Sequence, residues 1–315
     1  MISYAQNFED VMLARVFQDR TDGFYVDVGA GDPVDLSVTK WFYDLGWSGI
    51  NIEPNSTFYP KLLDERPRDV NLNCGAGATE GEAQYFQLLE NELSSFDSDA
   101  RARAEATGMA VVQRTVSVLP LTRILDRYSN GRPIDFLKID VEGWEREVLT
   151  GLDLQRYRPT IIIMEASLPT TRIESHSKWE DLLTRSEYSA VHFDGLSRFY
   201  LPSERMDLKI HFRLPPNVFD DFKPWKQTAS ENLLATFRTE AARLSTTFAD
   251  MPRAAAGRDS QGDGAALSDS VMDVIGLNAI RKATRTLSEP GLLLSHLLKA
   301  GIRSLRRRLR RRDPL

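Results

Sequence analysis

Apolar and polar positions follow two rhythms along the first two thirds of the chain. In residues 1–20, Val11, Met12, Val16 and Phe17 recur at helical spacing, which predicts a short amphipathic helix. The run GFYVDVGA (23–30) is almost continuously apolar, as a parallel strand buried on both faces should be. Val38, Trp41, Phe42 and Leu45 then form a helical stripe that Gly46 closes. GINIEP (49–54) predicts a second strand, Phe58 to Glu65 a second helix, and RDVNLNCGAG (68–77) a third strand with a glycine-rich exit.

Past residue 80 the alternation weakens. EAQYFQLL (82–89) and VVQRTVSVLPL (111–121) read as strands, with a polar, partly helical loop between them. A helix from Leu121 to Tyr128 leads to a fourth parallel strand, IDFLKIDVEG (134–143), and another helix begins at Trp144. TIIIMEA (160–166) is a fifth strand, Lys178 to Arg185 is helical, and SAVHFDG (189–195) with SRFYLP (197–202) closes as a hairpin. Repeated strand–helix alternation predicts an α/β sandwich around a mostly parallel sheet.

From about Trp225 the character changes. Glu231 to Phe248 reads as a polar helix, and residues 251–270 are rich in Gly, Ala, Ser and Asp, like a linker or disordered segment. From Pro290 to about Arg311, Leu294, Leu298, Ile302, Leu305 and Leu309 make an apolar stripe flanked by arginines. That pattern suits a helix lying on an anionic membrane surface. The expected organisation is therefore a domain over 1–225, a helix and flexible linker over 226–288, and a basic amphipathic helix over 289–315.

Composition narrows the functions. The net charge of −5 gives no sign of specific nucleic-acid binding. The single cysteine, Cys74, excludes an intrachain disulfide and a clustered thiolate zinc site. The N-terminus lacks the pattern of a signal peptide, and no apolar run is long enough to span a bilayer. The expectation is a cytoplasmic protein, with peripheral contact at the inner membrane face.

The first strand ends in a glycine turn and the second in an acid, Glu53, which is how a nucleotide-type cofactor is held. A dinucleotide normally needs G-x-G-x-x-G, but the third position here is Val34, preceded by Pro33. Asp32 and Asp35 in the same loop would repel a pyrophosphate. S-adenosylmethionine carries a sulfonium and an ammonium group instead, which suit Asp27. Gly29, Ala30 and Gly31 let it lie on the backbone, Glu53 can accept from both ribose hydroxyls, and Asn55 completes the E-P-N exit.

At this level of detail the chain resembles the FkbM family of S-adenosylmethionine-dependent methyltransferases. The matching stretches are SYAQNFEDVML (3–13), GFYVDVGAGDP (23–33), SVTKWFYDLGWSGINIEPN (37–55) and IDFLKIDVEGWEREVLTGLD (134–153). SHSKWEDLL, FDGLSRFY and PPNVFDDF resemble a bacterial subgroup, and the likeness spans roughly residues 3 to 222. The resemblance implies a Rossmann-like methyltransferase fold and a hydroxyl acceptor, such as a sugar in a polysaccharide, glycolipid or secondary metabolite. It also implies that the N-terminal segment folds over the cofactor, with Tyr4 and Gln6 near the methionine tail. Ser37 is expected to cap the first helix and meet the methionine carboxylate. Ala76 is expected near the adenine, and Leu93, Ser94 and Ser95 over the acceptor.

For chemistry, Asp140 and Glu142 follow the fourth strand and Glu165 ends the fifth, so the topology brings three carboxylates together. Asp140 is the expected acid/base; it could equally cap a helix over 142–150. Glu142 could be a first-turn helix acid, and Glu165 could pair with Lys138. His192 is a candidate general base, although a strand histidine is more often structural, and Asp194 reads as a turn residue. A divalent metal on Asp140, Glu165 and His192 is conceivable but not expected. A non-catalytic membrane-docking scaffold in a glycan-assembly complex and a nicotinamide-dependent oxidoreductase remain as alternatives.

Overall fold

The computed structural model describes residues 1–18, 20–88, 94–97, 102, 105, 110–168, 171 and 173–249. The chain divides into two compact units, Met1–Trp225 and Lys226–Leu315.

The first unit opens with a two-residue strand β1 (Ile2–Ser3), helix α1 (Glu9–Phe17), β2 (Phe24–Val28), the short α2 (Lys40–Asp44), β3 (Ser48–Ile52), α3 (Phe58–Glu65) and β4 (Val70–Leu72). A small sheet follows, made of β5 (Gly75–Ala76), β6 (Gly81–Leu88) and β7 (Val111–Leu119). The chain then returns through α4 (Leu121–Tyr128), β8 (Phe136–Ile139), α5 (Glu145–Thr150), β9 (Ile161–Glu165), α6 (Glu180–Arg185), β10 (Tyr188–Phe193) and β11 (Ser197–Pro202). Two 3-10 segments, Ser203–Phe212 and Val218–Asp220, lead to β12 (Lys223–Pro224), which pairs with β1. Helix α7 (Trp225–Ala249) extends into the second unit.

The main sheet has seven strands in the order β10-β11-β9-β8-β2-β3-β4. β9, β8, β2, β3 and β4 are mutually parallel, and β11 inserts antiparallel between β9 and β10. From β2 the chain first builds outward through β3 and β4, then crosses to the other side at β8. The order therefore reverses between β2 and β8, and such a switch opens a crevice at the carboxyl ends of those strands.

Every residue of β2, β8 and β9 is buried, which is why these strands lack a polar face. Alternate residues serve opposite layers. Val26, Val28, Leu137, Ile139, Ile162 and Met164 pack with Leu121, Ile124 and Leu125 of α4 and Leu183 of α6. Tyr25, Phe136, Ile161 and Ile163 face Met12, Leu13 and Phe17 of α1, together with Phe42 and Trp47. Each large side chain buried this way stabilises the fold by about 1.5–3 kcal/mol.

The structure departs from the expected elements in two places, the third strand and the helix after residue 225. The segment read as one third strand is split: β4 closes the edge of the main sheet, whereas Gly75–Ala76 pairs with β7 in the small sheet. The closing hairpin is present as expected, β10 pairing antiparallel with β11, and it joins the edge of the main sheet with β11 innermost. The helix expected over 231–248 runs from Trp225 to Ala249. The linker and the Arg-rich segment lie outside the described residues, as does Leu93.

Candidate active site

The crevice at the switch point is built around the turn that ends β2. Gly29 and Ala30 donate to the carbonyl of Ile52, at 3.0 and 3.3 Å. Gly29 has φ +76°, and a Cβ there would lie 1.8 Å from the carbonyl oxygen of Asp140, so only glycine fits. Gly31, with φ +62°, donates to Glu53 Oε2 at 2.7 Å, and Asn55 N donates to Glu53 Oε1 at 2.7 Å. Glu53 thus joins the exits of β2 and β3. Burial pushes its carboxyl up to about 7, against the pull of those two amides. Each oxygen retains a second lone pair, so the carboxylate can still accept from two vicinal hydroxyls.

The helix after this turn begins only at Lys40. The intervening loop folds on itself: Asp32 Oδ1 accepts from the amides of Val34 and Asp35, and Oδ2 meets Lys61 at 2.7 Å. No helix N-terminus directly follows the glycines to receive a pyrophosphate.

Lys138 ties the glycine turn after β2 to the exit of β8. Its Nζ donates to the carbonyl of Gly29 at 2.8 Å and stands 3.3 Å from Asp27 Oδ1 and 3.5 Å from Asp140 Oδ2. Asp27 is also reached by Thr39 Oγ1 at 3.2 Å. Its neighbouring charge within the protein is therefore the Lys138 ammonium. Lys138 pairs with Asp27 and Asp140 rather than with Glu165.

Asp140, Glu142 and Glu165 converge, with a carboxylate oxygen from each within 4.8 Å of the others. Asp140 is the most open of the three, at 35% side-chain exposure. Glu165 is buried, and its carboxyl is pushed well above the usual range, first by burial and then by the charges of Asp140, Glu142 and Glu145. Glu145 is also buried and raised to about 7, while accepting from Gly143 N at 2.9 Å. Burial and the neighbouring charges thus favour the protonated forms of Glu165 and Glu145. The oxygen-only set is also of the kind that suits magnesium or manganese, although Lys138 already supplies a cation beside Asp140.

Neither helix role expected for these acids is present. Helix α5 starts at Glu145, Trp144 is its N-cap, and no side chain caps it. Glu142 lies before it in a left-handed turn, φ +54°, with its carbonyl accepting from Ser95 Oγ at 2.7 Å.

His192 does not join the carboxylates. β11 lies between its strand and β9, a two-strand step of about 10 Å. Its ring packs edge-on to Phe199, with Asp194 and Arg15 as charged neighbours, and burial lowers its pKa. Its surroundings are structural, and a metal shared with Asp140 and Glu165 does not include it.

The remaining candidates divide. Ala5 bridges to Leu36, so the N-terminal segment does lie along the glycine loop. Tyr4 rests on Trp225 and donates to Asp44 at 3.3 Å, whereas Gln6 is exposed. Ser37 does not cap α2; its hydroxyl accepts from Arg66 Nη2 at 2.9 Å. The Asn55 side chain serves the E-P-N turn, accepting from Thr57 N at 2.8 Å and donating to Ser94 Oγ at 3.2 Å. Ala76 is buried in the main core, and the nearer contact to Glu53 is Asn73, which donates to its carbonyl at 2.9 Å. Ser94 and Ser95 dock the small sheet on the site through Leu88 N and the Glu142 carbonyl.

Three neighbours of the site have no counterpart among the expected residues. Tyr85 is buried against Phe96, with Glu53, Ser94 and Glu142 around its hydroxyl. Its place in the alternation of β6 was the available signal. Glu145 reads as an ordinary first-turn acid. Arg66 is fully buried, donating to the Pro33 carbonyl at 2.6 Å and holding the glycine loop. Asp69, three residues on and 3.8 Å away, is its buried counter-charge and the one local signal for it.

A model of the methyltransferase FkbM domain matches residues 27–190, just over half of the chain. Among solved structures, a TehB-like SAM-dependent methyltransferase from Corynebacterium glutamicum is similar at 8% identity and a TM-score of 0.34. That match covers 62% of this chain and 88% of the other. No curated protein gives a significant match.

Proposed function

The chain belongs to the FkbM methyltransferase family, an S-adenosylmethionine-dependent enzyme, and from this premise we propose that it methylates a hydroxyl group on a sugar-containing acceptor. The cofactor supplies an electrophilic methyl group when bound. The chain's own residues hold it and manage the acceptor proton. Gly29, Ala30 and Gly31 offer a backbone bed, and Glu53 accepts from the ribose.

The observation that carries the hydroxyl reading is the convergence of Asp140, Glu142 and Glu165 beside that bed. Asp140, the open member with Lys138 at its back, takes the proton from the acceptor hydroxyl. Glu165, whose burial favours the protonated form, donates a hydrogen bond in that form instead of competing for the proton. Several carboxyl groups on one wall can hold the multiple hydroxyls of a sugar. In this reading the Arg-rich segment 289–315 keeps the enzyme at an anionic membrane surface, where lipid-linked sugars are handled; each basic group near such a surface contributes about 1 kcal/mol.

The test is transfer of labelled methyl from S-adenosylmethionine to a panel of glycans, glycolipids and matched amines. O-methyl product on a sugar, lost by about 100- to 10,000-fold in Asp140→Asn and largely kept in Glu165→Gln, is the expected result. N-methyl product, or full activity in Asp140→Asn, would refute the assignment.

A further inference from the structure

Residues 203–222 fasten the end of the first unit over α1. Leu208 and Phe212 are buried in the core there, and the apolar residues that follow are not. Ile210 is 58% exposed, Leu214 64%, Val218 87% and Phe219 94%. The other large apolar side chains exposed among the described residues, Leu63, Ile173 and Phe193, are scattered. Four within ten residues is a patch, and a patch signals a contact surface.

The exposure is not a loose end. Arg15 donates to the carbonyls of His211, Leu214 and Pro215, at 3.1, 2.6 and 2.9 Å, and grips both oxygens of Asp220 at 2.6 and 2.7 Å. Asn217 and Asp220 close a reciprocal capping box around Val218–Asp220. The backbone polar groups of the turn are thus engaged internally, and Val218 and Phe219 are held outward at its tip.

The charges around the patch are mainly cationic. Lys209, Arg213 and Lys223 are exposed and have no ion pair among the described residues. The nearby acids are mostly occupied: Asp220 by Arg15, Glu204 by Arg158, and Asp207 by Arg205 at 3.6 Å. Asp221 is the exposed exception.

We propose that the segment 210–219 is a membrane-contact loop that inserts Phe219 and its apolar neighbours between anionic lipid headgroups while Lys209, Arg213 and Lys223 meet the phosphates. A protein partner fits less well, because protein interfaces are depleted in lysine and centre on side chains seated in pockets, whereas these protrude. The chain's net charge of −5 does not oppose local docking, since charges beyond about 8 Å are largely screened at physiological salt. The surface is separate in sequence from the Arg-rich segment 289–315, and a second weak contact is what stable surface attachment requires. The inference does not depend on the methyl-transfer reading.

The experiment is co-sedimentation of the full-length chain with vesicles of phosphatidylcholine and phosphatidylserine, 3:1, and of phosphatidylcholine alone. A cooperative thermal unfolding transition with the parent's circular-dichroism spectrum serves as the check on folding. Val218→Ser with Phe219→Ser is expected to lower partition into the mixed vesicles by roughly tenfold or more, the loss of one buried aromatic contact. Lys209→Gln with Arg213→Gln is expected to lower it severalfold on the mixed vesicles only. Leu63→Ser, on α3, is expected to change nothing. Unchanged partition in the Val218/Phe219 variant would overturn the proposal. An equal loss in Leu63→Ser would do so too, as would a dimer in sedimentation that this variant dissolves.

Discussion

Lys138 sits in a strand where every other side chain is apolar, and its charge is balanced within 3.5 Å by Asp27 and Asp140. Removing one member of a buried pair strands the other, at a cost of about 3–5 kcal/mol. Lys138→Met is therefore expected to lower unfolding stability by that order, read by urea titration. The double variant Asp27→Asn, Lys138→Met should recover most of the loss. No recovery would mean that the pairing is not what holds these strand ends. At this scale the sequence was partly legible. A lysine in FLKID announces a buried partner, but spacing cannot choose between Asp27, Asp140 and Glu165, because the choice depends on which strands become neighbours. β8 lies between β2 and β9, and the Lys138 side chain turns toward β2. Arg66 was less legible: its buried counter-charge Asp69 lies only three residues on, but its hydrogen-bond partners are a backbone carbonyl and hydroxyls from elsewhere in the chain.

The start of α1 illustrates how an element carries its own pH dependence. Asp10 accepts from Ser3 Oγ and Tyr4 N, at 2.6 and 2.7 Å, and Glu9 accepts from Asn7 N at 2.9 Å. Burial nevertheless raises Asp10 to about 6 and Glu9 to about 8, the latter helped by the charge of Asp194. Between the ordinary carboxylate pKa and these values, the folded chain holds protons that the unfolded chain has released. Stability from these groups is thus fully present near pH 4 and is lost as pH rises to about 8. Thermal midpoints are expected to fall from pH 5 to pH 8.5, with a shallower fall in Glu9→Gln. A profile identical in the two proteins would contradict the assignment. Among the elements themselves, β2, β3, β8 and β9 were legible because strands buried on both faces are largely apolar, with single polar residues such as Asp27, Asn51, Lys138 and Glu165. The insertion of β11 between β9 and β10 was not, since alternation records faces and not neighbours. That insertion is what removes His192 from the site.

At the scale of the whole molecule, the sheet order reverses between β2 and β8, and every group proposed to act in chemistry stands at the carboxyl edge of that reversal or on the loops over it. The glycine turn and Glu53 were readable from a short motif because the physical need is local: close backbone approach and an acid at the end of the neighbouring strand. The proton-sharing carboxylates were readable as a set, though not in their separate roles, since burial divides those roles. Among the described residues no helix is long and apolar enough to cross a membrane. Surface attachment would then rest on the loop at 210–219 and the segment 289–315. Truncation at residue 288 is expected to weaken vesicle binding without altering cofactor affinity; equal binding by the truncated chain would remove the tail from the scheme.

The most direct test of the site is calorimetric titration of the full-length chain and of Glu53→Ala with S-adenosylhomocysteine, with NAD as control. Binding in the micromolar range is expected, weakened roughly 10- to 100-fold in the variant by loss of two hydrogen bonds to a charged group. No S-adenosylhomocysteine binding by the parent chain, or binding of NAD in its place, would contradict the reading of the β2–β3 crevice as the cofactor site.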